Sequence, residues 1–213
     1  MTKPVLYTCA RSRGLRATWA AEEAGVNIDL AILPFPPRYL ALAFMELNPL
    51  GTVPLLVDGD AQLTESCAIA HYLATRDGYT VLAIAPGEPD YAAYCDYTYH
   101  ADATITFPQT VFMRFAIFEK EKGLAEAGHA YAKWFHKRLV KIEQRLETRE
   151  FLCAERFTVA DICVGYALIL AESVGLDEGV PESLKTYRAR LTARPAYQRA
   201  VAREEAGRLA LGA

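Results

Sequence analysis

The sequence lacks several features that would assign it to a specialised class of protein. Its 213 residues carry 23 Lys and Arg against 26 Asp and Glu, so neither sign of charge is in large excess. General binding to nucleic acid or to an anionic membrane needs a basic surface, and this composition predicts neither partner. The five cysteines include no Cys-x-x-Cys pair, which disfavours a zinc site and a dithiol redox centre. We therefore expect a reduced, cytoplasmic setting and no metal.

Long apolar runs are also missing. The longest, Val159 to Gly175, contains Asp161 and Glu172 and falls short of a membrane span. The first ten residues show no charged-then-apolar pattern of a signal peptide. The hydrophobic share of 52% and the charged share of 23% are those of a folded protein, which argues against disorder. We therefore expect no membrane association.

The first part of the chain alternates between strand and helix patterns. Apolar runs at 4–7, 28–33, 54–57 and 61–63 predict strands, and helical patterns at 15–24, 39–47 and 64–76 lie between or after them. Asp58-Gly59-Asp60 is a hairpin signal between the third and fourth strands. The predicted order is βαβαββα.

The pattern changes near residue 79, where Gly78, Pro86, Gly87 and Pro89 mark a connector. Only helical patterns follow, at 89–120, 126–147, 158–174, 182–193 and 195–206. We expect an α/β domain over 1–78, a linker over 79–88 and an all-helical domain over 89–213.

One helix start is clearly marked. Thr158 can cap the free N–H groups of the helix, and Asp161 can accept from the Thr158 N–H in a capping box. Phe157 and Ile162 occupy the positions of a hydrophobic staple. This pattern indicates a structural role.

Three short segments of the first domain suggest a site. Before the third strand, Val53-Pro54 can hold a cis bond that exposes the Val53 backbone to a peptide-like ligand, and an ordinary trans turn is the alternative. At the start of the last helix, Ser66 and free N–H groups suit a carboxylate and Glu65 suits an ammonium, with plain capping as the alternative. After the first strand, Ser12 precedes a helix, where a bound thiolate is favoured; an N-cap is again the alternative.

In combination, these segments resemble a known family. In chain order, the matching segments are Leu6-Tyr7, Arg11-Ser12, Asn48-Pro49-Leu50-Gly51-Thr52-Val53-Pro54-Leu55-Leu56, Leu63-Thr64-Glu65-Ser66-Cys67-Ala68-Ile69 and Phe157-Thr158-Val159-Ala160-Asp161. Their order and spacing are similar to those of the cytosolic glutathione transferase family, in its serine-type, bacterial-like form, over nearly the whole chain. The resemblance implies a thioredoxin-like N-terminal domain, an all-α C-terminal domain, glutathione as co-substrate and a homodimer.

The resemblance also implies roles for individual residues. Ser12 would stabilise the glutathione thiolate. The alternatives are Cys9 in the same turn, a backbone N–H group, or no single residue. Thr52, Val53 and Pro54 would contact the cysteinyl part of glutathione. The γ-glutamyl end would bind at the start of the last helix of the domain, to Glu65 and Ser66.

Two positions depart from the family pattern. Many relatives have Lys, His or Gln near positions 51 and 52 to hold the glycine carboxylate of glutathione, and this chain has Gly51 and Thr52. Arg38 is a nearby cation that can take this part.

The acceptor, a small hydrophobic electrophile, is expected against the first long helix of the second domain. The residues expected to contact it are Arg11, Tyr97, His100, Phe107 and Arg114. A core or interface position is the alternative for each aromatic residue. Asp96, one helical turn from His100, is expected either to orient that ring or to form a surface ion pair.

Several reactions fit these residues. They include conjugation, ether or halide cleavage, isomerisation, and peroxide or disulfide reduction, all with glutathione as the thiol. A second class is a glutathione- or ligand-binding protein without catalysis. A thioredoxin-like oxidoreductase is disfavoured because the turn after the first strand carries no Cys-x-x-Cys.

Overall fold

The computed structural model describes residues 3–78 and 80–212. One compact unit combines the chain up to Ala83 with the segment from Thr192 onward, and the second unit is Ile84–Leu191. This division differs from the predicted ranges 1–78, 79–88 and 89–213, because the end of the chain groups with the first unit. Residues 1, 2, 79 and 213 of those ranges lie outside the described residues.

The predicted βαβαββα order of the first unit is confirmed. Its elements are β1 (Val5–Thr8), α1 (Leu15–Ala24), β2 (Asp29–Ile32), α2 (Pro37–Leu40), α3 (Phe44–Leu47), β3 (Leu55–Asp58), β4 (Ala61–Leu63) and α4 (Ser66–Thr75). The helix predicted over 39–47 is instead two single turns, α2 and α3. The backbone leaves the helical region between them, at Ala41, with φ −134° and ψ 64°.

The four strands form one mixed sheet in the order β2-β1-β3-β4, with β1 parallel to β2 and antiparallel to β3. The predicted hairpin closes with Asp58 opposite Ala61, and Gly59 adopts the positive φ of +60° that this tight turn requires. The helices α1 and α4 contact each other. Their buried apolar residues form one core with those of the strands: Leu6, Ala17, Ala21, Ile28, Leu56, Ile69 and Leu73.

The second unit is helical throughout its regular structure. Its α-helices are α5 (Tyr91–His100), α6 (Phe107–Phe112), α7 (Ala125–Arg138), α8 (Val140–Leu146), α9 (Val159–Ser173) and α10 (Glu182–Thr192, which reaches the unit boundary). Two π-helical stretches, Ala101–Thr106 and Met113–Phe118, flank α6 within the helix predicted over 89–120. The first ends two residues before Pro108, which has no N–H for the regular helical ladder.

The predicted capping box begins α9. The Thr158 N–H donates to Asp161 Oδ2 at 2.8 Å, and the Thr158 hydroxyl donates to the same oxygen at 3.0 Å. The second oxygen, Oδ1, accepts from the Leu152 N–H at 2.9 Å and from the Tyr187 hydroxyl at 2.6 Å. Asp161 therefore joins the start of α9 to a loop and to α10, in addition to its capping role.

The last helix, α11 (Pro195–Ala210), packs on α1 of the first unit. The rings of Trp19 and Tyr197 meet edge to face at a centroid distance of 4.9 Å, and Arg194 forms a bidentate pair with Glu23 at 2.6 and 2.9 Å. This packing explains why the segment from Thr192 onward belongs to the first unit. Within the described residues, no helix combines the length and apolarity needed to cross a membrane.

Candidate active site

The fold brings the three predicted site segments of the first unit together. A Cβ atom built on Gly14, at the start of α1, would lie 3.5 Å from the Pro54 side chain. Two residues after Gly14, the Arg16 guanidinium donates to Ser66 Oγ at the start of α4, at 2.9 Å. The N-termini of α1 and α4 and the Val53-Pro54 turn are therefore neighbours at one edge of the sheet.

Ser12 lies in the turn between β1 and α1, here called the active turn (Cys9 to Gly14). Its hydroxyl oxygen accepts from the Gly14 N–H at 3.2 Å and lies 3.1 Å from the Thr8 hydroxyl. Thr8 donates its own proton to the Cys9 carbonyl at 3.2 Å, which leaves the Ser12 proton for Thr8 or for a ligand. Ser12 thus accepts a hydrogen bond within the turn before α1 and keeps a donor available.

Cys9 is a buried residue of the same turn, and its side chain is 2% exposed. Its thiol points at the Pro34 carbonyl, with Sγ 3.7 Å from that oxygen. Burial, with a smaller contribution from the charge of Glu204, raises the pKa of this thiol to about 11. The thiol is protonated at neutral pH, which argues against Cys9 as a nucleophile or thiolate.

The loop before β3 presents the Val53 backbone. The Val53–Pro54 peptide bond is cis, as predicted, and among the described residues the Val53 N–H and C=O have no hydrogen-bond partner. Asn48 orders the loop. Its amide donates to the Thr52 carbonyl at 2.8 Å, and its Oδ1 accepts from the Leu50 N–H at 3.2 Å. The buried Asn48 side chain therefore fixes the segment from which Val53 can pair with a ligand.

At the start of α4, Glu65 precedes the first helical residue and has an extended backbone (φ −88°, ψ 119°). Ser66 is buried and is the hydrogen-bond partner of Arg16, which is fully buried. The sequence patterns did not point to Arg16, although a charged residue between Leu15 and Ala17 of α1 was a usable signal. The site at this helix end thus contains a buried positive charge in addition to the free N–H groups.

The predicted glycine-carboxylate region lies beside α2 and α3. Gly51 has φ +60°, and a Cβ atom there would lie 2.8 Å from Arg38 Cβ and 2.9 Å from Met45 Sδ. The exposed Arg38 guanidinium lies 5.0 Å from the centroid of the Tyr39 ring. Arg38 therefore stands next to the loop that contains Gly51.

The structure separates the residues predicted to contact the acceptor. Tyr97 is only 5% exposed and its hydroxyl donates to the Lys141 carbonyl at 3.4 Å, so it packs as a core residue. The His100 ring meets Tyr97 at 6.4 Å, and burial and the charge of Lys141 lower the His100 pKa. Asp96 pairs with Lys141, which is the ion-pair alternative for that carboxylate.

The other predicted acceptor contacts have different neighbours. Phe107 is 50% exposed, and its ring meets Tyr131 of α7 edge to face at 6.3 Å. Arg114 is exposed and pairs with Glu119 at 3.0 Å. In the first unit, the Arg11 guanidinium lies 3.5 Å from Glu205. Within the helical unit, Tyr97 and His100 are in ring contact with each other.

Glu204 of α11 reaches the active turn, and sequence patterns gave no indication of it. Its Oε2 accepts from the Arg11 N–H at 3.0 Å, and its Oε1 accepts from the Thr18 hydroxyl at 2.8 Å. The side chain is buried, and burial raises its pKa to about 7. A carboxyl group that titrates near neutral pH therefore lies directly behind the turn that carries Ser12.

Comparisons with known proteins agree with this geometry. A family model described as "Glutathione S-transferase, N-terminal domain" matches residues 10–76. "Glutathione S-transferase 3" of Schizosaccharomyces pombe is 24% identical over 97% of this chain and 90% of its own length. "Glutathione S-transferase 1" of Manduca sexta is 32% identical over 59% of this chain and 56% of its own length. "Elongation factor 1-gamma" of Danio rerio is 30% identical, and the match covers 79% of this chain but only 38% of that protein.

Solved structures give the same result for the fold. The ternary complex of BphK, a bacterial glutathione transferase, is 25% identical, with a TM-score of 0.82 over 94% of this chain and 99% of that one. A sphingomonad glutathione transferase complexed with glutathione superposes with a TM-score of 0.81 at 24% identity, over 94% of this chain and 98% of that one. The predicted thioredoxin-like domain followed by an all-helical domain is thereby confirmed.

Proposed function

Because the chain belongs to the cytosolic glutathione transferase family, we propose that it binds glutathione, ionises its thiol and directs the thiolate to a small hydrophobic electrophile. One observation carries the proposal. The Arg16 to Ser66 hydrogen bond of 2.9 Å joins the start of α1 to the start of α4, which supports a single site next to both helix N-termini. Such a pair suits a ligand with a carboxylate at one end and a thiolate near the other.

Binding of the γ-glutamyl end is assigned to the start of α4. Ser66 Oγ and the backbone N–H groups at the start of α4 suit its carboxylate, and the buried Arg16 guanidinium adds positive charge behind Ser66. Glu65 supplies a carboxylate for the ammonium group. The unpaired Val53 backbone suits the cysteinyl N–H and C=O of glutathione, in the manner of an added strand.

Activation of the thiol is assigned to Ser12. A hydroxyl that donates to the sulfur favours the thiolate over the thiol, and the N-terminus of α1 acts in the same direction. The thiolate then attacks an electrophilic carbon. A carbon–sulfur bond forms, the bond to the leaving group breaks, and the thiol proton goes to solvent.

The glycine carboxylate of glutathione needs a separate cation, and Arg38 beside Gly51 is our candidate. For the acceptor, the exposed Phe107 ring beside Tyr131 offers an apolar surface within the helical unit. Arg114 is the predicted cation that lies nearest to Phe107 in the sequence. Tyr97 is not retained, because its ring is buried and its hydroxyl is already bonded.

The experiment has a binding part and a turnover part. Calorimetric titration with glutathione and with S-methylglutathione, which lacks a thiol, measures binding without chemistry. Turnover of a chromogenic aryl halide with glutathione measures the proposed reaction, and a panel of disulfides, peroxides and isomerisable substrates follows. Absence of glutathione binding would contradict the proposal. Turnover by the wild-type protein at a rate that saturates with glutathione would support it.

A second candidate is a binding module of the same fold that lacks turnover. The similarity to "Elongation factor 1-gamma" of Danio rerio favours it, because that name describes no glutathione reaction. Glutathione binding with no turnover on the whole panel would support this candidate and contradict catalysis.

Assembly as a homodimer remains a prediction of the family resemblance. In the first unit, the segment around α2 and α3 exposes a group of large apolar side chains: Phe35, Tyr39, Leu40, Leu42, Leu47 and Leu50. Such a surface is typical of an interface. Light scattering at several concentrations would give the mass, and a monomer at every concentration would contradict the prediction.

A further inference from the structure

Glu204 has a buried carboxyl group next to the turn that carries Ser12, the proposed thiol-activating residue. An inference about Glu204 therefore rests on the proposed function. We propose that Glu204 of α11 is a positioning residue that fixes the active turn and thereby the Ser12 hydroxyl. It does not contact glutathione in this proposal. Its effect on turnover passes through the backbone of the neighbouring Arg11.

The contacts of Glu204 are specific to the active turn and to α1. One carboxyl oxygen accepts the Arg11 N–H at 3.0 Å and the other accepts the Thr18 hydroxyl at 2.8 Å. The side chain is 2% exposed, so water does not readily replace either bond. Glu204 therefore connects the residue before Ser12 to the body of α1.

Arg11 needs such a partner because of its backbone conformation. Its φ is +63°, in the left-handed region that residues with a side chain rarely adopt. A conformation of this kind persists only where surrounding contacts enforce it. The Glu204 carboxylate supplies a contact at the Arg11 amide itself, one residue before the proposed catalytic hydroxyl.

The position of α11 is set independently of Glu204. Gly207, three residues further on, lets the helix approach β2, because a Cβ atom there would lie 2.3 Å from Ile32 Cγ1. Arg203 donates to the Ile28 carbonyl at 2.9 Å and to Glu22 at 2.6 Å. Loss of the Glu204 carboxyl should therefore release the active turn without releasing the helix.

Release of the active turn should affect thiol activation by Ser12 more than it affects glutathione binding. Ser66 and Val53 lie on other elements, and neither contacts Glu204. Displacement of the active turn should therefore lower kcat, which depends on Ser12, more than it raises KM for glutathione.

The test compares three variants with the wild-type enzyme. Glu204→Ala removes both acceptors and should lower kcat about 10-fold or more, with KM for glutathione changed by less than about 3-fold. Glu204→Gln keeps an amide oxygen for the Arg11 N–H and should recover at least about half of the wild-type kcat. Glu23→Ala is the control, since it removes another contact between α1 and the start of α11, the partly buried pair with Arg194, away from the active turn. It should lower Tm but leave kcat within about 2-fold.

Two results would overturn the proposal. One is a folded Glu204→Ala variant with the kcat of Glu23→Ala, and the other is a Glu204→Ala variant that changes only KM. If Glu204→Ala does not fold, Glu204→Asp replaces it. The shorter side chain keeps the charge but cannot span both bonds, so the same loss of kcat is expected and a wild-type kcat would overturn the proposal. Absence of turnover in the wild-type enzyme would instead mark failure of the proposed function.

Discussion

At the scale of single residues, Ser12 is the most direct test of the proposed chemistry. Its hydroxyl is the donor left available in the active turn, since Thr8 donates to the Cys9 carbonyl. Ser12→Ala should therefore lower kcat about 10- to 100-fold, the size expected for one hydrogen bond to a charged group. Glutathione affinity should change little, because Ser66 and Val53 remain.

The pH profile gives the sign of the Ser12 effect. A donor to the sulfur stabilises the thiolate and lowers the thiol pKa, so its removal should move the rise of kcat to higher pH. Cys9→Ala provides the comparison, because a thiol with a pKa of about 11 is not ionised in the range of the assay. A Ser12→Ala profile that coincides with wild type, or a Cys9→Ala profile that shifts, would assign the role differently.

Gly14 allows the active turn to lie against β1. An added Cβ atom would lie 1.9 Å from Thr8 Oγ1 and 2.7 Å from Thr8 Cβ, and Thr8 is fully buried. Gly14→Ala should therefore reduce the free energy of unfolding by about 1–3 kcal/mol, the usual cost of overpacking. Urea denaturation measures this value.

A double-mutant cycle with Thr8→Ala tests the stated cause. Thr8→Ala removes the closest contact, to Oγ1 at 1.9 Å, and leaves the Cβ contact at 2.7 Å, so the cost of Gly14→Ala should fall by about 1 kcal/mol or more in that background without vanishing. Equal costs in both backgrounds would contradict a clash with the Thr8 hydroxyl as part of the cause.

At the scale of elements, the start of α9 is more heavily connected than its capping pattern indicates. The Asp161 carboxylate accepts from the Thr158 backbone and hydroxyl, the Leu152 N–H and the Tyr187 hydroxyl. Asp161→Ala leaves buried donors unpaired, so we expect a loss of about 3 kcal/mol or more, above the 0.5–2 kcal/mol of a lost cap alone. Chemical denaturation measures the loss, and a value within the range of a simple cap would contradict this reasoning.

The start of α4 is expected to contribute to binding and not to the chemical step. Ser66→Ala removes a hydroxyl from the assigned carboxylate site and should weaken glutathione binding by about 1–3 kcal/mol, measured by calorimetry. Ser173→Ala is the control, because its hydroxyl donates to the Leu170 carbonyl within another helix. A normal Ser66→Ala affinity with a reduced kcat would reverse the assignment.

The elements also show where sequence patterns stop being informative. The strand β1, the helix α1 and the hairpin were predicted correctly, because each of these elements depends on residues close together in the chain. The apolar pattern over 39–47 predicts one helix, but the backbone leaves the helical φ/ψ region at Ala41. The spacing of apolar residues indicates which side of a segment is buried, but it does not indicate a change of chain direction within that segment.

At the scale of the whole molecule, the main differences from the sequence-based description involve residues far apart in the chain. The pattern over 195–206 predicted a helix correctly, but no local signal shows that this helix packs on α1, 170 or more residues earlier. The contact of Glu204 with the active turn depends on that packing and was missed for the same reason. Arg16 could have been identified without knowledge of the packing, because a charged residue between apolar residues is visible in the sequence itself.

The packing of α11 also makes global stability depend on pH through Glu204. Burial raises the pKa of this carboxyl group to about 7 in the folded protein, from 4.5 in the unfolded chain. The folded protein therefore binds the proton more tightly, and the contribution of Glu204 to stability is complete below about pH 4.5 and lost as pH rises through about 7. The groups facing the carboxyl are the Cys9 thiol, the Arg11 amide and the Thr18 hydroxyl, and none of these titrates in that range.

Glu204→Gln should remove this dependence. The free energy of unfolding of the wild-type protein, measured in urea at intervals from pH 5 to 8, should fall relative to the variant by roughly 2–3 kcal/mol across the range. Groups common to both proteins cancel in the difference, so the remaining slope belongs to position 204. Two parallel curves would show that Glu204 has the same pKa in the folded and unfolded chain, and the burial of its carboxyl behind the active turn would then carry no electrostatic cost.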